Sequence, residues 1–147
     1  AAMWDDWYER GGNAFDTSWV YGGGIQEKLL GKWVKARDIR EDVVVTVKGA
    51  HTPRCLPDLL VKDFHESLNR LQFEYADLYI MHRDNPEVPI GEFVDVLNEL
   101  KAEGLIRGAF GGSNWTWRMS ENEMHGFAAD RLFGMLELYG RLRNKNG

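Results

Sequence analysis

One complete strand–helix–strand unit can be read in residues 43–82, VVVTVKGAHTPRCLPDLLVKDFHESLNRLQFEYADLYIMH. Its two ends, Val43–Lys48 and Ala76–His82, are short and rich in apolar residues, which is typical of strands buried in a sheet. Between them, apolar side chains recur every three or four residues, which predicts a helix that buries one face. Those side chains are Leu60, Phe64, Leu68 and Leu71. Two strands joined by a helix are the repeating unit of a parallel sheet.

The same alternation continues on both sides of this unit. Asn13–Thr17 and Ile106–Gly112 predict two further strands, each separated from its neighbour by enough residues for a crossover helix. The helix before the last strand is predicted to begin at Pro89, whose missing N–H needs no partner at a first helical position. Gly104 is predicted to end that helix in a left-handed turn. The helix after the first strand is predicted to bury one stripe, formed by Ile25, Leu29, Leu30, Trp33 and Val34.

Repeated parallel strands with right-handed crossovers leave two architectures, a doubly wound sheet and a barrel. The doubly wound fold marks its nucleotide site with a Gly-x-Gly-x-x-Gly turn, and neither glycine cluster of this chain, Gly22–Gly24 or Gly108–Gly112, has that spacing. A polar residue also ends each strand unit, which favours a barrel. We therefore predict an α/β fold, a partial (β/α)8 TIM barrel with four parallel strands and flanking helices.

The length limits how much of a barrel can be present. A chain of 147 residues suits one domain, whereas a complete (β/α)8 barrel typically needs about 250 residues. Residues 1–147 are therefore expected to form a single incomplete barrel domain, in which residues 119–147 are a tail of uncertain structure. Because the first and last predicted strands would be open edges of the sheet, self-association through those edges is expected.

Composition indicates a small-molecule partner. With 44% hydrophobic and 28% charged residues, no apolar run long enough to cross a bilayer and no signal-peptide pattern, the chain is expected to be cytoplasmic and to have no membrane partner. The net charge of −5, with basic residues interspersed among acids, argues against a nucleic-acid surface. Cys55 is the only cysteine, so no disulfide or thiolate zinc site is expected. His51, His65 and His125 lack metal-ligand spacing and are expected at the surface.

Four polar residues of different chemistry each lie at or just after the end of a predicted strand. They are Asp16, Tyr21, Lys48 and His82. Because a barrel collects its chemistry at the carboxyl ends of its strands, these residues are expected to share one pocket. A tyrosine hydroxyl has a pKa of about 10, so it is an efficient proton relay at neutral pH only when a nearby cation favours its phenolate. Lys48 is the candidate cation, and Asp16 is the carboxylate that would keep it charged and in place.

The role of His82 has two interpretations. It can donate a hydrogen bond to a substrate oxygen, or it can tune the same network. Together the four residues would form an acid for a carbonyl oxygen, a role worth about a hundred- to ten-thousand-fold in rate. Because none of these side chains carries electrons, a hydride-donating cofactor is implied. Simpler interpretations also stay open: Asp16 can cap the turn that follows it, and Lys48 can reach solvent.

Four segments carry a combined pattern that is more specific than any one of them. They are Gly12–Thr17 with Tyr21, Glu27 and Gly31; Thr46–Lys48; Ser67–Leu71 with Asp77–Tyr79 and His82; and Gly112–Asn114. In that order, they resemble four elements of the aldo-keto reductase family: the signature around its catalytic Asp and Tyr, its lysine strand, the stretch that leads to its histidine, and its Gly-x-Ser-Asn element. The resemblance spans about residues 3 to 117.

The resemblance implies a (β/α)8 barrel that reduces an aldehyde or ketone to an alcohol. The implied cofactor is NADPH, with NADH as the second possibility, and the implied partner is a small-molecule carbonyl substrate. By the same resemblance, Tyr21 acts as the acid, Lys48 and Asp16 tune it, and His82 orients the carbonyl.

The resemblance also suggests where the cofactor is held. Ser113 and Asn114 would hold the nicotinamide carboxamide. Tryptophans just beyond strand ends would either line a substrate pocket, as in many family members, or anchor loops. They are Trp19, Trp115 and Trp117. Two further hypotheses stay open: the chain is a non-catalytic barrel fragment that binds a nucleotide or a partner, or it is a fragment with no activity.

Overall fold

Strands and helices alternate in the computed structural model, which describes residues 2–113; these residues fall within one compact unit of the chain. The strands are β1 (Ala14–Asp16), β2 (Val44–Gly49), β3 (Ala76–Met81) and β4 (Ile106–Ser113). The helices are α1 (Ala2–Glu9), α2 (Ile25–Arg37), α3 (Pro57–Leu71) and α4 (Ile90–Ala102). Two short 3₁₀ turns, Tyr21–Gly24 and Arg40–Asp42, precede α2 and β2.

The four strands form one parallel sheet in the order β1-β2-β3-β4. Its register places Asp16 opposite Thr46 and Lys48 opposite Ile80. Helix α2 packs against α3, and α3 packs against α4. Strand order therefore follows chain order without the reversal that marks a doubly wound sheet. The predicted α/β class, with four parallel strands and flanking helices, is confirmed.

Alternation along the strands separates the core from the face that leads to the site. Val45 and Val47 of β2 are fully buried with the helix side chains, whereas Thr46 between them is only partly buried. Because successive side chains of a strand point to opposite faces, Lys48 lies on the same face as Thr46. The largest buried side chains on the core side include Leu30, Leu60, Phe64, Tyr79 and Phe93.

The buried stripe of α2 differs from the one predicted. Ile25 and Leu29 are 61% and 53% exposed, so the prediction was wrong for these two residues. The buried stripe is formed by Glu27, Leu30, Gly31, Trp33 and Val34. Positions three, four and seven residues after Glu27 share its face of the helix, whereas Ile25 and Leu29 lie on another face. Two contacts that the hydrophobic pattern does not reveal determine this orientation: an ion pair of Glu27 and a close approach at Gly31.

The helix ends follow the predicted signals closely. Gly104 takes a φ of +77° and its N–H donates to the Lys101 carbonyl at 3.0 Å, so the left-handed turn after α4 is confirmed. Pro89 lies one residue before the first residue of α4, with a ψ of 131°, so the helix begins at Ile90 and not at Pro89. Pro57, in contrast, is the first residue of α3. A difference of one residue at a helix end is common because helix ends fray.

Three predictions concern membrane-spanning helices, domain organisation and the edges of the sheet. None of the helices in residues 2–113 is long and apolar enough to cross a membrane. The predicted tail, residues 119–147, lies outside the described residues, so the single-domain organisation stays a prediction. Within residues 2–113, β1 pairs only with β2 and β4 pairs only with β3, as expected for the two edges.

Exchange of Gly31 for alanine tests the close packing of α2 on α3. A Cβ at Gly31 would lie 2.0 Å from the Leu71 carbonyl oxygen, so Gly31→Ala must push the helices apart. We expect it to lower the free energy of unfolding by about 1–3 kcal/mol, as overpacking does. Gly91→Ala in α4 is the matched control, since nothing lies within 4 Å of its Cβ. It is expected to raise stability by up to about 1 kcal/mol. Urea unfolding measures both, and equal stability of the two variants would contradict the packing.

Open sheet edges generate a second prediction. On either side of β1, the Asn13 carbonyl and the Thr17 N–H bond to β2, so the alternate Ala14 N–H faces away from β2. Among the described residues, that side of β1 is an open edge. We propose that the chain self-associates through such edges, and we expect sedimentation velocity to show dimers whose fraction rises with concentration. Ala14→Pro removes an edge donor without touching the β1–β2 bonds and should weaken association. A parent chain that sediments as a monomer at every concentration would refute the proposal.

Candidate active site

Three of the four predicted residues meet at the carboxyl ends of β1 and β2. The Lys48 ammonium nitrogen lies 2.7 Å from Oδ2 of Asp16 and 2.9 Å from the hydroxyl oxygen of Tyr21. It also lies 4.9 Å from the centre of the Tyr21 ring, within the range of a cation–π contact. Lys48 of β2 therefore links the carboxylate at the end of β1 to the phenol in the turn that follows β1.

Lys48 and Asp16 differ sharply in how much of each side chain is exposed to solvent. The side chain of Lys48 is 8% exposed, whereas that of Asp16 is 57% exposed. Burial acts to lower the pKa of Lys48, but the hydrogen bonds with Asp16 and Tyr21 outweigh it, so the net pKa is raised above its ordinary value. Lys48 is therefore a firmly charged ammonium at neutral pH. The interpretation in which Lys48 merely reaches solvent does not fit this geometry.

Backbone hydrogen bonds hold the loop that carries Tyr21 against the end of β2. The Thr17 N–H donates to the Thr46 carbonyl at 2.8 Å, and the Trp19 N–H donates to the Lys48 carbonyl at 2.8 Å. These bonds continue the β1–β2 pairing past the end of β1. Tyr21 is thereby turned back toward the Lys48 side chain.

Three glycines follow Tyr21 and make the tight turn into α2 possible. Gly22, Gly23 and Gly24 have φ values of +57°, +61° and +87°, which residues with side chains rarely adopt. Gly24 also lies against the Arg70 guanidinium, where a Cβ would meet the Arg70 side chain at 2.5 Å. The glycine run is therefore explained by the turn, in agreement with its lack of a dinucleotide-binding spacing.

A network from α3 anchors the same loop, and sequence reasoning missed most of it. Arg70 donates to the Trp19 carbonyl at 2.7 Å, to buried Glu27 at 3.0 Å and to Glu66 at 2.6 Å. The Trp19 indole N–H donates to Glu66 at 2.8 Å, and its ring contacts the guanidinium groups of Arg54 and Arg70. Of the two interpretations of Trp19, the structure favours the loop anchor. The sequence signal was present, since Glu27 and Arg70 both lie in the segments that carry the resemblance.

His82 joins the site from the end of β3. Its ring is edge-on to that of Tyr21, with centres 5.8 Å apart, and edge-on to that of His51 at 4.8 Å. Its Nδ1 lies 2.8 Å from the hydroxyl of Ser18, which sequence reasoning did not select. Burial, followed by the charges of neighbouring groups including Lys48, lowers the pKa of His82 from 6.5 to about 4. The imidazole is therefore neutral at physiological pH.

His51 is part of this cluster and not the plain surface histidine that was expected. It is partly buried, its ring contacts His82, and its Nδ1–H donates to the Thr52 carbonyl at 2.8 Å. The preceding Ala50 is fully buried and has a φ of +54°, which is unusual for a residue with a side chain. Such strained positions cluster at functional sites. Only the fold reveals this turn, because the sequence Gly49-Ala50-His51 carries no signal for it.

The predicted cofactor residues lie at the next strand end. Ser113 is the last residue of β4 and is paired with Met81, which immediately precedes His82. A register irregularity interrupts the β3–β4 pairing between Ile80 and Met81. Bulges of this kind are frequent next to active sites. The backbone of Ser113 is thus at the same edge of the sheet as His82, whereas Asn114, Trp115 and Trp117 lie outside the described residues.

The remaining histidines and the cysteine lie outside the quartet. Among residues 2–113, no group of three or more His, Cys, Asp or Glu side chains has the geometry to hold a metal ion. His65 is exposed on α3, and His125 lies outside the described residues. Cys55 is buried in the loop before α3, and its Sγ lies 3.4 Å from the Arg83 carbonyl oxygen. A buried thiol in that setting is structural.

Known proteins resemble this chain in sequence. The sequence model of the aldo/keto reductase family matches residues 1–127. The chain belongs to the aldo/keto reductase family. It is 36% identical over 118 residues to the aldo-keto reductase YhdN of Bacillus subtilis, a match that covers 74% of this chain and 34% of that protein.

Solved structures show the same family likeness. The chain resembles the holo form of aldo-keto reductase AKR11C1 from Bacillus halodurans with a TM-score of 0.63 and 32% identity, over 71% of this chain and 38% of that one. It resembles the aldo/keto reductase from Klebsiella pneumoniae in complex with NADP and acetate with a TM-score of 0.63 and 29% identity, over 75% of this chain and 37% of that one. The chain spans about a third of the length of the curated relatives it matches.

The lowered pKa of His82 predicts how stability depends on pH. Because the folded chain holds His82 neutral down to a pKa of about 4 while an ordinary histidine titrates at 6.5, the unfolded chain binds the proton first. The contribution of neutral His82 to stability is therefore full above pH 6.5 and is lost as the pH falls toward 4. His82→Gln should reduce the loss of unfolding free energy between about pH 7.5 and about pH 4.5, measured with urea.

The matched control for this measurement is His65→Gln. His65 is exposed on α3, so its replacement is expected to leave the acid-induced loss of stability unchanged. A His82→Gln variant that loses as much stability on acidification as the parent chain would contradict the buried, neutral imidazole.

Proposed function

We propose that this chain carries the proton-transfer machinery of an NAD(P)H-dependent reductase that converts an aldehyde or ketone to an alcohol. One observation carries the proposal: the buried Lys48 ammonium contacts both the Tyr21 hydroxyl and the Asp16 carboxylate. Family membership and the NADP-bound relative from Klebsiella pneumoniae support it.

The proposed chemistry balances with one hydride and one proton. The chemistry that a bound dihydronicotinamide would supply is a hydride for the carbonyl carbon, which would leave the oxidised nicotinamide and an alcohol carbon. Tyr21 gives its hydroxyl proton to the carbonyl oxygen, and the Lys48 ammonium stabilises the phenolate that remains because it already donates to that oxygen. Solvent then returns a proton to the phenolate. Asp16, exposed on one side and bonded to Lys48 on the other, holds the ammonium in position.

One backbone pairing supports the proposed position of the cofactor. Ser113, the first of the two residues that the resemblance assigns to the nicotinamide carboxamide, pairs with Met81 and so lies at the same end of the sheet as His82. We propose that Ser113 and Asn114 hold that carboxamide. NADPH is the proposed cofactor because the relative from Klebsiella pneumoniae was solved in complex with NADP, and NADH is the second candidate. A small carbonyl compound in the cytoplasm is the proposed substrate.

A second candidate function follows from the length of the match. The match spans 34% of the length of YhdN, so the rest of that protein has no counterpart in this alignment. The alternative is a non-catalytic fragment that binds a nucleotide or a partner, or one without activity. Its Lys48 network would then be an inherited structural feature.

Turnover of NADPH with a generic aldehyde tests the first candidate. The 147-residue chain is expected to oxidise NADPH, which is measured as a fall in its absorbance. Tyr21→Phe is expected to lower the rate of that fall by about 10²–10⁴-fold because it removes the transferred proton. Tyr8→Phe is the matched control. Tyr8 lies on α1, where its hydroxyl contacts Asp42 at 3.4 Å, and its loss should leave the rate unchanged.

Calorimetric titration with NADPH separates the alternatives. The reductase is expected to bind NADPH with similar affinity in the parent chain and in Tyr21→Phe, since the hydroxyl acts on the carbonyl. Binding without turnover would favour the nucleotide-binding fragment, and neither binding nor turnover would favour a fragment without activity. A Tyr21→Phe variant as fast as the parent would exclude Tyr21 as the acid.

A further inference from the structure

The hydroxyl of Tyr79 explains why β2 has a glycine directly after Lys48. A Cβ at Gly49 would lie 2.5 Å from the Tyr79 hydroxyl oxygen. The next nearest atoms, Cβ of Asp63 and Cζ of Tyr79, would both lie 3.5 Å away, which is an ordinary contact. The Tyr79 oxygen alone therefore leaves no room for a side chain at this position.

Backbone conformation does not account for the same glycine. Gly49 is the last residue of β2, and its φ is not positive, in contrast to those of Gly22–Gly24. Residues with side chains adopt the strand conformation readily. A glycine in a strand often marks the close approach of another group, and here that group is the phenol oxygen of Tyr79.

The Tyr79 ring is held firmly in this place. Tyr79 is 0% exposed, and its ring is edge-on to that of Phe64 with centres 5.6 Å apart. Because Tyr79 pairs with Val47, its ring extends along the sheet from the level of Val47 to that of Gly49. The hydroxyl oxygen has no hydrogen-bond partner of normal geometry among residues 2–113. What the oxygen does there is therefore to fill space against the β2 backbone.

Gly49 is the point from which three parts of the site extend. Lys48 precedes it, and the Gly49 carbonyl accepts the His82 N–H at 2.7 Å. The left-handed turn at Ala50 follows it and leads to His51. A shift of the Gly49 backbone would therefore displace both rings of the His51–His82 contact.

We propose that Tyr79 is a positioning residue whose hydroxyl fixes the Gly49 backbone and, with it, the relation between His51 and His82. Protein interiors are closely packed, so a buried atom that touches a backbone segment limits where that segment can lie. The consequence for catalysis rests on the proposed reductase function, whereas the packing is a property of the free chain.

Exchange of the two groups tests the proposal. Gly49→Ala adds a methyl group against the Tyr79 oxygen, and Tyr79→Phe removes that oxygen, so the double variant is expected to pack where Gly49→Ala does not. Because the two histidine rings lie edge-on, ¹H–¹³C spectra of the rings respond to a change in their relation without cofactor or substrate. We expect Gly49→Ala to shift the His51 and His82 signals, and added Tyr79→Phe to return them toward the positions of the parent chain. His51→Gln and His82→Gln identify these signals by their loss.

Tyr75→Phe is the matched control for the rescue. Tyr75 precedes β3 at the opposite end of that strand, where its hydroxyl donates to Glu41 at 2.8 Å. Its exchange is therefore not expected to reverse the effect of Gly49→Ala. The signals of His65, which is exposed on α3, are expected to stay unchanged in every variant.

Urea unfolding keeps the test decisive. Should Gly49→Ala fail to fold, the double variant with Tyr79→Phe is expected to regain a cooperative transition. A double variant as disturbed as Gly49→Ala, in its spectra or in its unfolding, would overturn the proposal. So would His51 and His82 signals that stay unchanged in a folded Gly49→Ala variant.

The NADPH assay gives the catalytic consequence separately. Because a small misplacement of catalytic groups is costly, Gly49→Ala is expected to lower kcat by about 10²-fold, and added Tyr79→Phe is expected to restore it. A parent chain without turnover would count against the reductase function, and the ring spectra would still decide whether Tyr79 positions the segment.

Discussion

The Lys48 ammonium ties the end of β1, the end of β2 and the loop between them into one site. Its side chain is nearly buried, and a buried charge is tolerated only when it is paired and hydrogen-bonded. Asp16 and Tyr21 satisfy that requirement, so the same contacts that stabilise the ammonium also fix the phenol. The Lys48 ammonium therefore has two roles. It holds the two segments together, and it would stabilise the negative charge that proton donation by Tyr21 would leave.

Helix α3 helps to hold the loop that carries Tyr21. Arg70 of α3 bonds to the carbonyl of Trp19, two residues before Tyr21, and to buried Glu27 of α2. A guanidinium group suits this task because its fixed fork of donors can bond several acceptors at once. The loop is thus held on one side by β2 carbonyls and on another by α3. Its glycine turn supplies the tight bend between these two restraints, and the whole arrangement keeps the phenol near the ammonium.

Sequence reasoning succeeded where the signal was local. Short apolar runs gave the four strands, and polar residues at their ends gave the candidate quartet, because a parallel sheet brings those ends to one edge. It was wrong for Ile25 and Leu29, because apolar spacing alone did not show that an ion pair and a glycine contact orient α2. It also placed His51 at the surface, because the left-handed turn at Ala50 that carries the ring to His82 has no glycine to mark it.

By itself, the sequence determined the α/β alternation, the candidate acid, cation and carboxylate, and the strand ends at which these residues lie. These follow from residue chemistry and from periodicities over a few residues. The tertiary structure alone decided which nitrogen of His82 meets a hydroxyl, which side chains surround that ring, and which face of α2 is buried. Ser18 and His82 are 64 residues apart, and their contact exists because β2 presents consecutive carbonyl groups to both segments. Such contacts depend on strand register and helix packing, which no local pattern encodes.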